Sequence, residues 1–355
     1  MSIHLAMDGV GAAFAPESYF HHENQYTGNR ALCFSVGHKP ALTTTIAAYR
    51  KNRYLPHKWR RDSTLLGGGF LAHDKQFLIL ADAFHRHGFG RFLDSVFGGQ
   101  PCAWHAGRII DTPIPEDGLE AYLHFILPAY TERGISCRLN FSAPDITPGM
   151  LADTKANMML RVLHEYNINT DKPHGVIVSS DMLREYIREK FPGISITCSV
   201  LKTAYERPNM TETPEWYDCL AERFDIVVVR SDRNLDLPFL QRIRSREKME
   251  LIINSDCVPN CPLRVEHYQL MLEADRGSRT AAREFETMQE RCRRNKMRNA
   301  DISLTLERIQ SLHDAGFRHF KMSGRELAWD YWAFQNGPYL LNAGVILNMM
   351  LEEEG

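Results

Sequence analysis

Cys257 and Cys261 are separated by three residues in a short stretch that also holds Asn254, Pro259 and Pro262. Thiolates are soft ligands for iron–sulfur clusters and for zinc, and two on one proline-punctuated loop can reach a common ion. The apolar run 249–253 precedes the pair, and Pro262 suits the first turn of a following helix. Both sulfurs therefore belong to the loop after a strand. A pair supplies only part of a ligand set. Cys292 is the best third candidate, because it lies among Arg291, Arg293, Arg294, Lys296 and Arg298, where no core role is evident and cations favour the thiolate. The fourth position is open to Cys102, Cys33, a substrate or a solvent molecule, and His267 would complete a zinc set with the three cysteines. The spacing matches neither the three-cysteine pattern of radical-SAM enzymes nor the paired C-x2-C units of a zinc ribbon. Cys137, Cys198 and Cys219 fall on apolar strand or helix faces and read as buried small hydrophobes.

The elements that must position these groups follow a βα rhythm. Short β-branched or apolar runs occur near 102–109, 136–141, 175–179, 194–200, 225–230, 249–253 and 319–322, and amphipathic segments separate them. Met158, Met159, Val162, Leu163 and Tyr166 recur at helical steps, as do Met182, Leu183, Tyr186 and Ile187, before Pro192 and Gly193 stop the second helix. A run at 31–36 supplies one more strand. Eight strands with helical crossovers predict a single α/β domain over 1–355, a (β/α)8 TIM-barrel-like fold, for which about 250 residues is typical. The excess falls in an irregular N-terminal part, 1–100, which includes the first strand, and in an insertion at 268–300 before the last strand; 100–330 is the main barrel and 331–355 a C-terminal helix. Gly67, Gly68 and Gly69 read as a flexible turn, since no Lys-Ser/Thr follows to make a phosphate loop.

Chemistry in such barrels gathers at the C-terminal ends of strands. Those ends offer His105, Arg108, Asn140, Ser179, Ser180, Ser199, Asp232, Asn254, Ser323 and Arg325. His105 titrates near neutrality and suits a general acid or base, or a simple hydrogen-bonding role. Arg108 and Arg325 carry planar forks suited to a carboxylate or phosphate, or to structural salt bridges. His85 and His87 are two apart and diverge on either a strand or a helix, so with His73 they do not form a joint metal site. The basic run 291–298 reads as a solvated face.

The formal net charge of −2 provides no general basic field, so nucleic acid is not an expected partner. No signal-like or membrane-spanning apolar stretch is present, which points to a cytoplasmic protein whose eight cysteines stay reduced.

Several pieces together resemble the collagenase-like peptidase superfamily, which includes the UbiU/UbiV-type proteins of oxygen-independent ubiquinone hydroxylation and related tRNA and rRNA hydroxylation factors. They are Val176-Ile177-Val178-Ser179-Ser180 with Leu183, Tyr186 and Ile187; the run 225–229; Asn254 to Pro262 with both cysteines; Arg264, His267 and Tyr268; and Phe320-Lys321-Met322-Ser323-Gly324-Arg325. The resemblance covers roughly 100–330 and implies a barrel fold and, in several branches, a cysteine-held [4Fe-4S] cluster whose paired cysteines match Cys257 and Cys261. This chain lacks the additional cysteine shortly before that pair, and Cys292 comes well after it.

Three functional readings follow. The first is an iron–sulfur barrel enzyme, an oxidoreductase or hydroxylase, in which Cys257, Cys261 and Cys292 hold a [4Fe-4S] cluster and His105, Arg108, Asn254, Ser323 and Arg325 face an unidentified substrate. The second is a zinc-dependent hydrolase or zinc-stabilised barrel using the same cysteines with His267. The third is a non-catalytic accessory subunit acting with a protein partner.

Overall fold

The computed structural model describes residues 62–86, 91–107, 114–168, 170–255, 257–296 and 302–323. The chain divides into two compact units, Met1–Asn52 and Arg53–Gly355, and every described residue belongs to the second. Eight parallel strands close into a barrel in chain order: β1 (Thr64–Phe70), β2 (Leu93–Gly98), β3 (Ser136–Phe141), β4 (Gly175–Val178), β5 (Ser195–Cys198), β6 (Ile226–Val229), β7 (Met249–Ile252) and β8 (His319–Lys321). The closure is made where Thr64, Leu65 and Leu66 pair with His319, Phe320 and Lys321.

Helices fill the crossovers: α1 (Asp74–Arg86), α2 (Glu116–Glu132), α3 (Thr154–Asn167), α4 (Asp181–Lys190), α5 (Val200–Glu206), α6 (Pro214–Ala221), α7 (Leu237–Gln241), α8 (Arg264–Asp275), α9 (Arg279–Lys296) and α10 (Leu306–Asp314). Their starts carry the expected chemistry. Asp153 caps α3 through Ala156 N, Ser180 caps α4 through Leu183 N, and Thr213 caps α6 with Pro214 at its first position. Helices α8 and α9 form the insertion before the last strand.

Strand residues alternate between two environments, as a period of two requires. Leu139, Val176, Val178, Ile196, Val227, Val229, Leu251 and Phe320 join the large core shared with the helices. The intervening residues face the barrel lumen, where Leu66, Phe97 and Ile177 form a small apolar cluster of their own. The lumen also holds charge: Arg138 donates to Thr197 Oγ1 (3.2 Å) and Glu250 Oε1 (3.1 Å), and Lys321 Nζ lies 4.0 Å from the Phe97 ring centroid.

Six strands lie where the sequence places them, and the first two do not. The segment 102–107 is a loop, and β2 precedes it; the expected strand at 31–36 lies outside the described residues, as does the C-terminal helix at 331–355. The glycine triplet is not a turn but the middle of β1. A Cβ on Gly67 or on Gly69 would stand 2.5 Å from the Phe77 ring, so the bare backbone lets α1 press an aromatic side chain flat against the sheet. Cys137 and Cys198 are buried as expected, whereas Cys219 is exposed on α6, on the helix side away from buried Tyr217, Leu220 and Ala221.

The β1–α1 junction rests on Asp74. Its carboxylate accepts from Leu71 N to both oxygens (3.1 Å each), from Tyr122 Oη (2.8 Å) and from Tyr130 Oη (2.8 Å), which fixes Leu71 in the left-handed region at φ 65. Burial raises the Asp74 carboxyl to about 6 even against those hydrogen bonds. The folded state then binds the proton more tightly than the unfolded one, so this stabilisation is full below about pH 4 and is lost as pH rises through about 6. The loss is on the order of 3 kcal/mol. Urea unfolding at pH 4, 5 and 6 is expected to show wild type losing stability relative to Asp74→Asn over that interval. A difference that is flat, or that favours wild type more at pH 6, contradicts the assignment.

Candidate functional site at the barrel mouth

The loop after β7 carries Cys257 and Cys261, and a buried ionic chain fastens it to the barrel. Asp232, in the turn after β6, accepts from Asn260 N (2.6 Å) through Oδ1 and from the Arg264 guanidinium through both oxygens. Arg264 Nη2 donates also to Val258 O (3.1 Å) and to Cys257 Sγ (3.4 Å). Behind Asp232, Arg230 Nε donates to Asp232 Oδ2 (3.3 Å), and Arg230 reaches Glu212, which Arg233 holds at 3.0 Å. Glu212, Arg230, Asp232 and Arg264 are all buried. Opposite charges alternate along the chain, and its last cation points at a thiol.

That electrostatic setting divides the two cysteines. The hydrogen bond between them lowers Cys261 to about 6 and raises Cys257, so the first thiolate forms on Cys261; the Leu263 N–H adds to the effect and a charge on Cys292 opposes it. Cys292, on α9, thus lies within electrostatic reach of the pair. Its Sγ stands 3.5 Å from His267 Nδ1, on α8. All seven described cysteines are free. The donors suit a thiolate-held centre in kind: two thiols lie on one loop, a guanidinium donates to one of them, and a Cys–His pair stands within electrostatic reach. Among the described residues no three His, Cys, Asp or Glu side chains stand in an arrangement that could hold a metal ion. Cys102 has other company. It neighbours Asp153 and Lys155, and burial pushes its thiol up to about 12.

Helix α8 continues from the cysteine loop across the mouth. Its first turn is held by Asp232 after β6, and at its far end Arg276 forms a two-pronged ion pair with Asp145 after β3 (2.6 and 2.8 Å). Asp275 meets His105 in the loop after β2, Oδ2 to Nδ1 at 3.4 Å, with both side chains buried. Strands β7 and β3 lie on opposite sides of an eight-stranded barrel, so α8 spans its diameter; twelve residues reach about 18 Å.

The other anticipated residues distribute as follows. Asn254 and Ser323 bracket the ends of β7 and β8: Asn254 Nδ2 donates to Ser323 O (3.0 Å), and Ser323 N and Oγ donate to Asn254 Oδ1 (2.7 and 3.2 Å). His105 pairs with Asp275 on the far side. Arg108 and Arg325 lie outside the described residues. Sequence reasoning missed Glu212, Arg230 and Asp275, whose importance comes from partners distant in the chain. It had Arg264 only as part of a resemblance, although an arginine three residues after a loop cysteine is a legible cue.

No protein-family model matches the chain, and no curated protein does either. Among solved structures, the U32 peptidase Mk0906 is similar at 13% identity with a TM-score of 0.45, over 74% of this chain and 92% of that one. The (β/α)8 assignment rests on the closed strand order itself.

The division of the thiol pair is measurable in chelator-treated protein. Iodoacetamide should alkylate Cys261 with a pH–rate midpoint near 6, and Cys257→Ala should move that midpoint upward. A wild-type midpoint at the ordinary thiol value of about 8.5 contradicts the shared-proton description.

Proposed function

We propose that the chain is a barrel enzyme whose mouth carries a cysteine-held metal centre, an iron–sulfur cluster on Cys257, Cys261 and Cys292, used in redox modification of a small molecule or macromolecule. One observation carries this reading: buried Arg264 donates to Cys257 Sγ at 3.4 Å on the loop that also holds Cys261, with Cys292 in electrostatic reach of Cys261. When bound, such a centre supplies electron transfer or an open coordination position. The protein's own contributions are separate. Arg264 favours the thiolate form of the pair, and Asp232 fixes Arg264 in place. His105, held by Asp275, offers a proton-transfer group at the opposite rim, and Asn254 with Ser323 keeps the β7 and β8 ends in register. Cys292 would turn from His267 toward the pair to complete the set.

A second reading is favoured by the 3.5 Å Cys292–His267 contact: zinc held by Cys257, Cys261, Cys292 and His267. Four protein ligands make a structural site, whereas hydrolysis needs an open position. No helix among the described residues is long and apolar enough to cross a membrane, and a cytoplasmic setting would keep the free thiols reduced.

Anaerobic purification followed by iron, sulfide and zinc analysis separates the two. The cluster reading expects iron and acid-labile sulfide in stoichiometric amounts, lost in Cys257→Ser and Cys261→Ser and reduced in Cys292→Ser, with His267→Ala unaffected. Stoichiometric zinc without iron, lost in His267→Ala, overturns it in favour of the second reading.

A further inference from the structure

The lumen of an eight-stranded barrel is filled in layers, each made by inward side chains of alternate strands and ordinarily by branched aliphatic ones. The strand pairings order those layers here. Leu66, Arg138, Thr197 and Glu250, from the odd strands, make one; Phe97, Ile177, Val228 and Lys321, from the even strands, make the next; and the positions of Gly68, Asn140, Ser199 and Ile252 make the one nearest the C-terminal mouth. Two of these positions depart from aliphatic filling in a way that concerns the mouth. Lys321 puts an ammonium group in an otherwise apolar layer, with Nζ 4.0 Å from the centroid of the Phe97 ring. Gly68 lies in the layer above, on β1, between the strands that carry Lys321 and Phe97. Gly67 and Gly69 both face Phe77 of α1, so the residue between them faces the lumen, and β1 contributes no side chain to that layer.

The accessible surface follows the missing side chain. Lys321 keeps 8% of its surface accessible and Phe97 7%, whereas Ile177 in the same layer keeps 2% and Val228 none. In the layer above, Ile252 keeps 9% and Asn140 7%. The lumen is thus closed on the β4–β6 side and open around Gly68, over an ammonium group and an aromatic ring. Burying an ammonium merely to fill space is costly, and the ring face offsets part of that cost while keeping the group charged. A lysine head also carries three N–H donors, of which a bound oxyanion needs one. The walls beside it, Phe97 and Ile252, are apolar, and Leu66 and Ile177 pack behind Phe97.

We infer that the mouth of the barrel lumen binds a small monocarboxylate with an apolar body, its carboxylate received by Lys321 and its apolar part lodged in the gap at Gly68, against Phe97 and Ile252. Arg138, in the deeper layer, is engaged with Glu250 and is not part of this site. A free phosphate brings more charge and no apolar part, so it matches these walls poorly. The inference holds whichever metal the cysteine loop carries, because the test reads binding and none of these residues is a cysteine or histidine of that centre.

Calorimetric titration of the full chain at about 0.15 M salt, where long-range surface attraction is screened, tests it with matched probes. Benzoate is compared with benzamide, and hexanoate with hexanamide. At least one carboxylate should bind saturably and roughly tenfold or more tighter than its amide, the scale of one hydrogen bond to a charged group. Inorganic phosphate at equal concentration should not displace it. Lys321→Met, which keeps the stem over the Phe97 ring, should abolish the preference for carboxylate over amide, and Gly68→Val, which fills the gap, should weaken both. Lys190→Met, at an exposed position on α4, should change nothing. A measurement on the unmutated chain stands beside these: reductive methylation read by mass spectrometry should modify Lys321 more slowly when the carboxylate is present and not when the amide is. Absence of saturation by both carboxylates below about 10 mM, equal binding of the amides, displacement by phosphate, a preference that survives Lys321→Met, or no protection of Lys321 would overturn the inference.

Discussion

The buried pair of Asp232 and Arg264 is the joint on which the mouth of this barrel depends. Asp232 belongs to the turn after β6 and Arg264 to the first turn of α8, so their contact closes the intervening cysteine loop against the barrel. Two buried charges are costly to desolvate, and breaking such a pair by removing one partner typically costs about 3–5 kcal/mol. The cost is met here by crowding further donors onto the same carboxylate, with Arg230 behind and Asn260 N above. The surplus guanidinium hydrogens then serve Val258 O and Cys257 Sγ. The same interaction that seats the loop thus sets the charge beside its thiols.

From that joint α8 projects across the barrel and is tied again at Asp145 and His105. A helix pinned at both ends over the barrel mouth leaves a cavity between its C-terminal half and the ends of β4 and β5. Below it, the lumen is not the aliphatic packing usual in such barrels, since Arg138, Glu250 and Lys321 replace branched side chains between the strands. Arg138 on β3 reaches Thr197 on β5 and Glu250 on β7, which links strands across the barrel as well as through the ladder, although Arg138 Nε and Glu250 Oε2 have no hydrogen-bond partner.

Much of this was legible in the sequence, and the limits have physical causes. β3 to β8 are β-branched or apolar runs that alternate with helical stripes, so local pattern and tertiary role agree. β1 is legible only through its partners, because its three glycines read as a turn but lie in a strand paired with β2, with Gly67 and Gly69 leaving room for Phe77. β2, with Asp94, Ser95 and Gly98, lacks the composition of a buried strand and is made one by pairing with β1 and β3. In the site, ligand chemistry singled out Cys257, Cys261, Cys292 and His267 as candidates from the sequence, and the structure places Cys292 against His267. What a linear reading could not supply was the set of groups whose roles arise from closure: Asp275 against His105, and Arg230 and Glu212 behind Asp232. Asn254 and Ser323, read as facing the substrate, are hydrogen-bonded to one another at the ends of β7 and β8.

The central claim is that cysteines from the β7 loop and from α9 serve one metal centre. X-ray absorption at the edge of the metal retained by anaerobically purified protein measures the ligand atoms directly. The account predicts at least three sulfur neighbours per metal at about 2.3 Å. Two or fewer sulfurs, with nitrogen and oxygen filling the remaining positions, would contradict it.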